Sequence, residues 1–128
     1  MKWLLLLPII VILLVCSCGG LFCNDATEEF IPGVYIRFSK HEYGTEYDTV
    51  IITVQNKRAL EYTIHRKWKY ERVLDGAYLE PEYKKKTSAG IYNQKSNLLE
   101  EMASGNQYSF DSKKKRLFHG ATEYQKIK

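Results

Sequence analysis

Cysteine is scarce in this chain of 128 residues, and all three copies, Cys16, Cys18 and Cys23, fall within its first 23 positions. A disulfide framework for the rest of the chain is excluded, so burial and strand pairing must hold the fold. Proline is rare too: Pro8, Pro32 and Pro81. No apolar run reaches the roughly 20 residues that a membrane-spanning helix needs; the longest, Trp3 to Val15, is shorter. The three histidines, His41, His65 and His119, share no metal-ligand spacing. No Gly-x-Ser-x-Gly, phosphate loop or dinucleotide fingerprint occurs. The net charge of +4 is mixed in sign, with Glu28, Glu29, Glu80, Glu82, Glu100 and Glu101 among the lysines. A nucleic-acid partner would need a concentrated basic face. No nucleic acid, metal or cofactor is therefore expected.

What the N-terminal stretch does contain is Lys2 followed by that short apolar run, the length of a secretory signal's hydrophobic region. Val15-Cys16-Ser17-Cys18-Gly19-Gly20 places a branched apolar residue three positions before a cysteine and a small residue directly before it. This resembles a bacterial lipobox. It implies cleavage after residue 17, lipidation of Cys18 and attachment to a membrane through two or three acyl chains, a firm anchor where a single chain is marginal. Cys16 and Cys23 follow the bulky Val15 and Phe22 and suit the role less. The expected organisation is a signal peptide over 1–17, a lipidated tether over 18–32 and one domain over 33–128, a length suited to a single small core. The first acid after Cys18 is Asp25. The export signals of surface lipoproteins in Bacteroidota are acids closer to the cysteine, so the periplasmic face is expected over the cell surface, and the outer membrane over the inner.

From Gly33 onward the pattern has a period of two. Gly33–Phe38 reads as a strand, His41–Thr45 as a loop, and Tyr47–Val54 as a strand with six consecutive β-branched residues, Thr49 to Val54. Leu60–Leu74 is a long strand. One face is Leu60, Tyr62, Ile64, Arg66, Trp68, Tyr70, Arg72 and Leu74, and the other is nearly all polar. Asp75-Gly76 is a two-residue hairpin signal. Pro81 places the return strand at an edge or a bulge. Short strands at Gly90–Tyr92, Leu98–Met102, Tyr108–Phe110, Arg116–Phe118 and Thr122–Ile127 follow, separated by turn residues every 8–12 positions. The fold expected is all-β: a small antiparallel up-and-down barrel or curled meander of about eight strands, closed so that few edges remain.

Arg66 and Arg72 interrupt an otherwise apolar face beside Trp68 and Tyr70. Buried charges need partners. Either these arginines lie near the barrel ends and reach water, or Arg66, Trp68, Tyr70 and Arg72 line a cavity for an acidic or amphipathic ligand, with guanidinium stacked on rings. The basic runs Lys84–Lys86 and Lys113–Arg116 read as solubility and edge protection, or as a docking surface for an acidic partner or anionic envelope material. Glu80 and Glu82 would share a strand face about 7 Å apart, and Glu100 and Glu101 would oppose one another across their strand.

Two resemblances are carried by particular residues. Gly33-Val34-Tyr35, the W-x-Y of the long strand, Gly90-Ile91-Tyr92-Asn93, SGNQYSF from Ser104 and the ending from Leu117 resemble small lipoproteins of Bacteroidota with lipocalin-like folds, often found with conjugative transposons. This resemblance implies fold and envelope location and no activity. Ser104-Gly105-Asn106-Gln107-Tyr108 resembles the Ser-Gly-x-x-Tyr loop of membrane-bound lysozyme inhibitors, implying an inhibitory loop at Ser104, Gly105 and Tyr108; that family's second motif is missing after Tyr108. The expected function is a non-enzymatic, membrane-tethered β-domain of the cell envelope that binds a protein partner or a small ligand. The alternatives are an inhibitor or immunity protein against a lysozyme-type hydrolase or toxin, and an enzyme with dispersed acid–base residues.

Overall fold

The computed structural model describes residues 25–128, and the expected signal peptide and the lipidation site Cys18 lie outside them. The chain forms one short helix, α1 (Asp25–Phe30), and nine strands: β1 (Gly33–His41), β2 (Gly44–Asn56), β3 (Glu61–Leu74), β4 (Ala77–Tyr78), β5 (Glu82–Asn93), β6 (Leu98–Glu101), β7 (Gln107–Asp111), β8 (Arg116–His119) and β9 (Thr122–Lys126). Eight strands close into an antiparallel up-and-down barrel, and β4 is the extra one, paired only with the end of β3. The seam is β1 against β9, where Tyr35 faces Lys126 and Ile36 faces Gln125.

Alternation decides which side chains fill the barrel. The buried core consists of Ile31, Tyr35, Val50, Ile52, Tyr62, Ile64, Tyr92, Leu99, Tyr108, Leu117 and Tyr124, drawn from every barrel strand and the segment after α1. Five of the ten tyrosines are thus core residues. Their rings fill volume, and most of their hydroxyls find internal partners, as buried polar groups must.

The Asp75-Gly76 turn forms as expected. Both residues have positive φ, 50° and 78°, as a type I′ turn demands. The return strand breaks at Pro81. Pairing runs Val73 with Tyr78 and resumes at Tyr70 with Glu82, one residue out of register. Proline cannot donate to the ladder, so the interruption sits where it does least harm. Glu80 lies in that break, so the shared strand face expected for Glu80 and Glu82 does not exist.

Three further expectations are corrected. The loop at His41–Thr45 is only a two-residue turn, Glu42-Tyr43, because β1 and β2 pair out to His41 and Gly44. Gly44 permits this: a Cβ there would lie 2.4 Å from the Glu71 carbonyl oxygen and 2.9 Å from the Tyr70 ring. The turn after β2 comes later than expected, ending at Leu60, whose φ of 55° takes it out of the long strand. Finally, residues 25–32 are no featureless tether. Ile31 is fully buried, and Phe30 packs edge-on against Tyr35 and Phe110. The Tyr35 hydroxyl lies 2.9 Å and 2.8 Å from the carbonyl oxygens of Phe30 and Ile31, to which it donates. Lys126 donates to the Phe30 carbonyl and sits 4.2 Å above its ring. The segment plugs the base of the barrel.

The wall is uneven. β2, β3 and β5 have 13, 14 and 12 residues, whereas β6 to β9 have four or five. At roughly 3.3 Å per residue, the long strands run about 40 Å and the short ones about 13–17 Å. The mouth, opposite the plug, therefore opens sideways above the short strands.

Candidate functional site

Above the apolar core the inward-facing residues turn polar, in two clusters. In the first, Asp48 on β2, only 6% exposed, meets Arg66 on β3. Arg66 Nη2 donates to Asp48 Oδ2 at 3.0 Å, and the Tyr124 hydroxyl donates to the same oxygen at 2.6 Å. The pairing register sets Val50 opposite Arg66 and Asp48 opposite Trp68, so the Asp48–Arg66 contact is diagonal. Burial lowers the Arg66 pKa, but Asp48, with Tyr124 and Tyr108, more than offsets this, and the net direction is up. Burial, then the bond to Asp48, raises the Tyr124 hydroxyl. Asp48 Oδ1 is buried with no hydrogen-bond partner among the described residues.

The second cluster centres on Glu101, the last residue of β6, 1% exposed. Ser88 on β5 donates to Oε1, and Lys86 lies 3.5 Å from the same oxygen. Ser104, Asn106 and Tyr108 donate to Oε2 at 2.8, 3.0 and 3.4 Å. Burial acts to raise the Glu101 pKa. The Ser88, Ser104 and Asn106 bonds and the Lys86 charge outweigh it and hold the carboxyl at about 2. Burial, then Glu101, pushes Tyr108 up to about 12.

Over these clusters opens a cavity of about 580 Å³ lined by Arg66, Trp68, Lys84, Lys85 and Lys86. Trp68 faces Lys84 across the ladder and Arg66 faces Lys86, so these four side chains share the inner face. Lys84 Nζ sits 5.1 Å from the centroid of the Trp68 ring. Trp68 stacks on Tyr70 with centroids 5.6 Å apart, and Tyr70 stacks on His41 at 6.0 Å. Among the described residues neither Lys84 nor Lys85 has an ion-pair partner, and only Nη2 of Arg66 is committed to a hydrogen bond. An aromatic platform ringed by ammonium and guanidinium groups can hold an anion that carries a flat or apolar part.

Of the four ligand-binding residues expected from sequence, Arg66 and Trp68 line the cavity. Tyr70 supports Trp68 from behind. Arg72 lies farther out, half-exposed, 5.6 Å over the Tyr70 ring and paired with Glu82 at 3.1 Å. The two readings of the arginines therefore divide: Arg66 is the inner one, and Arg72 reaches water at the rim. The lysines of the cavity were visible in sequence as a charge run. Their alternation against Trp68 depends on the register after Pro81, which sequence leaves open. Asp48, Glu101 and Tyr124 carried no sequence signal beyond strand membership.

The candidate inhibitory loop is placed differently from an exposed wedge. The Ser104 hydroxyl turns inward to Glu101, Gly105 takes a φ of 72° at the turn, and Tyr108 is fully buried. Among the described residues no three His, Cys, Asp or Glu side chains converge as metal ligands would. Compared with protein families, with curated proteins and with solved structures, the chain matches none.

Proposed function

We propose that this protein is a non-enzymatic lipoprotein of the bacterial cell envelope whose barrel binds an anionic ligand at its open mouth. The observation that carries the reading is the cavity over Trp68, where Arg66, Lys84 and Lys86 share the inner face, Lys85 lines the rim, and Lys84 and Lys85 have no acid of their own among the described residues. Surface lysines usually diverge; here the ladder register turns Lys84 and Lys86 to the same side as an indole. The N-terminal apolar run and lipobox-like Cys18 support attachment to a membrane, in the outer membrane and on its periplasmic face. The resemblance to lipoproteins of conjugative transposons supports a place in such a system. The bound group is a small ligand or part of an envelope partner.

Trp68 is one of only two tryptophans, the other being Trp3. In full-length protein in detergent with Trp3→Phe, emission reports on the cavity alone. Titration with naphthalene sulfonate, an aromatic anion, is expected to change Trp68 emission saturably. Lys84→Gln is expected to weaken binding by about tenfold, the effect of one lost charge contact. An unsaturable response, or equal affinity in the variant, would refute the reading.

A further inference from the structure

β5 has two partners at its base and one higher up. It pairs with β3 from Glu82 to Ile91 but with β6 only from Gly90 to Asn93. Just below the gap, the Ala89 carbonyl accepts from the Met102 amide on the β6 side. Main-chain groups alternate in direction along a strand. Tyr83, Lys85 and Thr87 follow the same parity as Ala89, so their amides and carbonyls point into the sideways opening of the wall. Among the described residues no strand pairs with them there. The short strands β6 to β9 end below this level, so the edge borders the cavity.

An open edge invites another strand. Its side chains decide which. A second copy of this chain would set Lys84, Lys85 and Lys86 against the same three lysines, and like charges opposed across a ladder repel. An acidic strand meets the opposite condition. Its inward side chains would lie beside Lys84 and Lys86, over the Trp68 ring, and its outward ones beside Lys85. The opposite lip of the opening, the upper part of β1 from Arg37 to His41, is also unpaired by β9, but Arg37 there is already near Glu46 at 3.9 Å.

We infer that the ligand of the mouth is an extended acidic polypeptide segment, which adds to the free edge of β5 as a strand and places its carboxylates on Lys84 and Lys86. This rests on the reading of the mouth as an anion site and assigns the chemical class of its occupant. The acidic segment supplies main-chain partners for the edge and a countercharge for Lys84, which has none among the described residues; Lys86 already shares Glu101 at 3.5 Å. Affinity would fall with added salt, because the lysines are exposed.

The test uses full-length protein in detergent with Trp3→Phe. Three probes are compared: an end-capped peptide of about eight residues alternating glutamate and threonine, the same peptide N-methylated at alternate amides, and free citrate. Alternation puts every carboxylate on one face of the added strand. The unmodified peptide is expected to shift Trp68 emission, to slow amide exchange over Glu82–Ala89 at least about tenfold, and to bind about tenfold more tightly than its N-methylated form. Equal binding of the two peptides, or no protection over Glu82–Ala89, would overturn strand addition. If citrate matches the peptide, the edge plays no part while the anion site stands. If no probe moves Trp68 emission, both readings fall together.

Discussion

Glu101 is the residue on which the upper half of the interior depends. A carboxylate 1% exposed would be costly on its own, yet three hydroxyls, an amide and an ammonium surround it. These contacts tie β5, β6 and the turn before β7 to one atom pair. Because its folded pKa is held at about 2, against an ordinary 4.5, the stability it contributes is fully present above pH ~4.5. It is lost as the pH falls from there toward 2, and linkage sets it at about 3 kcal/mol. Glu101→Gln is expected to lower stability at pH 7 by an amount of that order, and to flatten the acid limb of stability against pH. Urea titrations of both proteins from pH 7 to pH 3 would show it. Parallel limbs would mean that Glu101 is not the group responsible.

At the scale of elements, the plug formed by α1 and Ile31 does what a helix six residues long cannot do by propensity alone. Its place depends on Phe30 and Ile31 packing into the base and on the Tyr35 hydroxyl and Lys126 ammonium capturing their carbonyls. Ile31→Ala is expected to cost about 3 kcal/mol, as for other fully buried isoleucines. Thermal denaturation measures this, and a cost below about 1 kcal/mol would show that the base closes without the plug. Most of the strands were legible in the sequence. β2 and β3 announce themselves by alternation, and Asp75-Gly76 and Pro81 by backbone chemistry. The plug was not legible, because Phe30 and Ile31 are only two apolar residues in a polar stretch, and two positions show no period. For the site, Arg66 and Trp68 were visible as oddities on an apolar face. Asp48 reaches Arg66 diagonally across the neighbouring β2–β3 ladder, a contact that depends on register, whereas Tyr124, which shares Asp48, comes from β9, and only closure of the barrel brings it within reach.

The molecule as a whole is two bodies in one sheet: a packed lower barrel and a taller, thinner upper wall made of β1, β2, β3 and β5. The upper wall has no opposite side to pack against. Its outer face carries a row of Phe38, Tyr47, Lys69 and Tyr83, directly opposed across four strands. Phe38 meets Tyr47 edge-on at 5.2 Å, and Lys69 lies over both Tyr47 and Tyr83. Such pairs contribute a few tenths to about 1 kcal/mol each, far less than a core. Amides of Arg37–His41 and Glu82–Thr87 are therefore expected to exchange at least about a hundredfold faster than those of Val50, Ile52 and Ile64, since opening the wall need not open the barrel. Hydrogen exchange followed by NMR separates the two, and uniform protection would contradict this division.

The seam between β1 and β9 also governs the order of events in time. Every other ladder joins strands consecutive in the chain, apart from the two-residue β4 interposed between β3 and β5, so hairpins can form one after another without long loop closure. The seam alone must bring the two ends of the domain together, and it consists of two residue pairs plus the bonds of Val34 with Ile127 and Lys128. It is thus expected to close after the rate-limiting step of folding and to open first. Ile127→Pro deletes the amide that donates to Val34 at 2.9 Å. It should speed unfolding and leave the folding rate nearly unchanged, the signature of a contact absent from the transition state. Stopped-flow folding and unfolding rates would decide it, with a slowed folding limb counting against late closure. The lifetime of the closed barrel, more than its equilibrium stability, would then be set at the strip where its first strand meets its last.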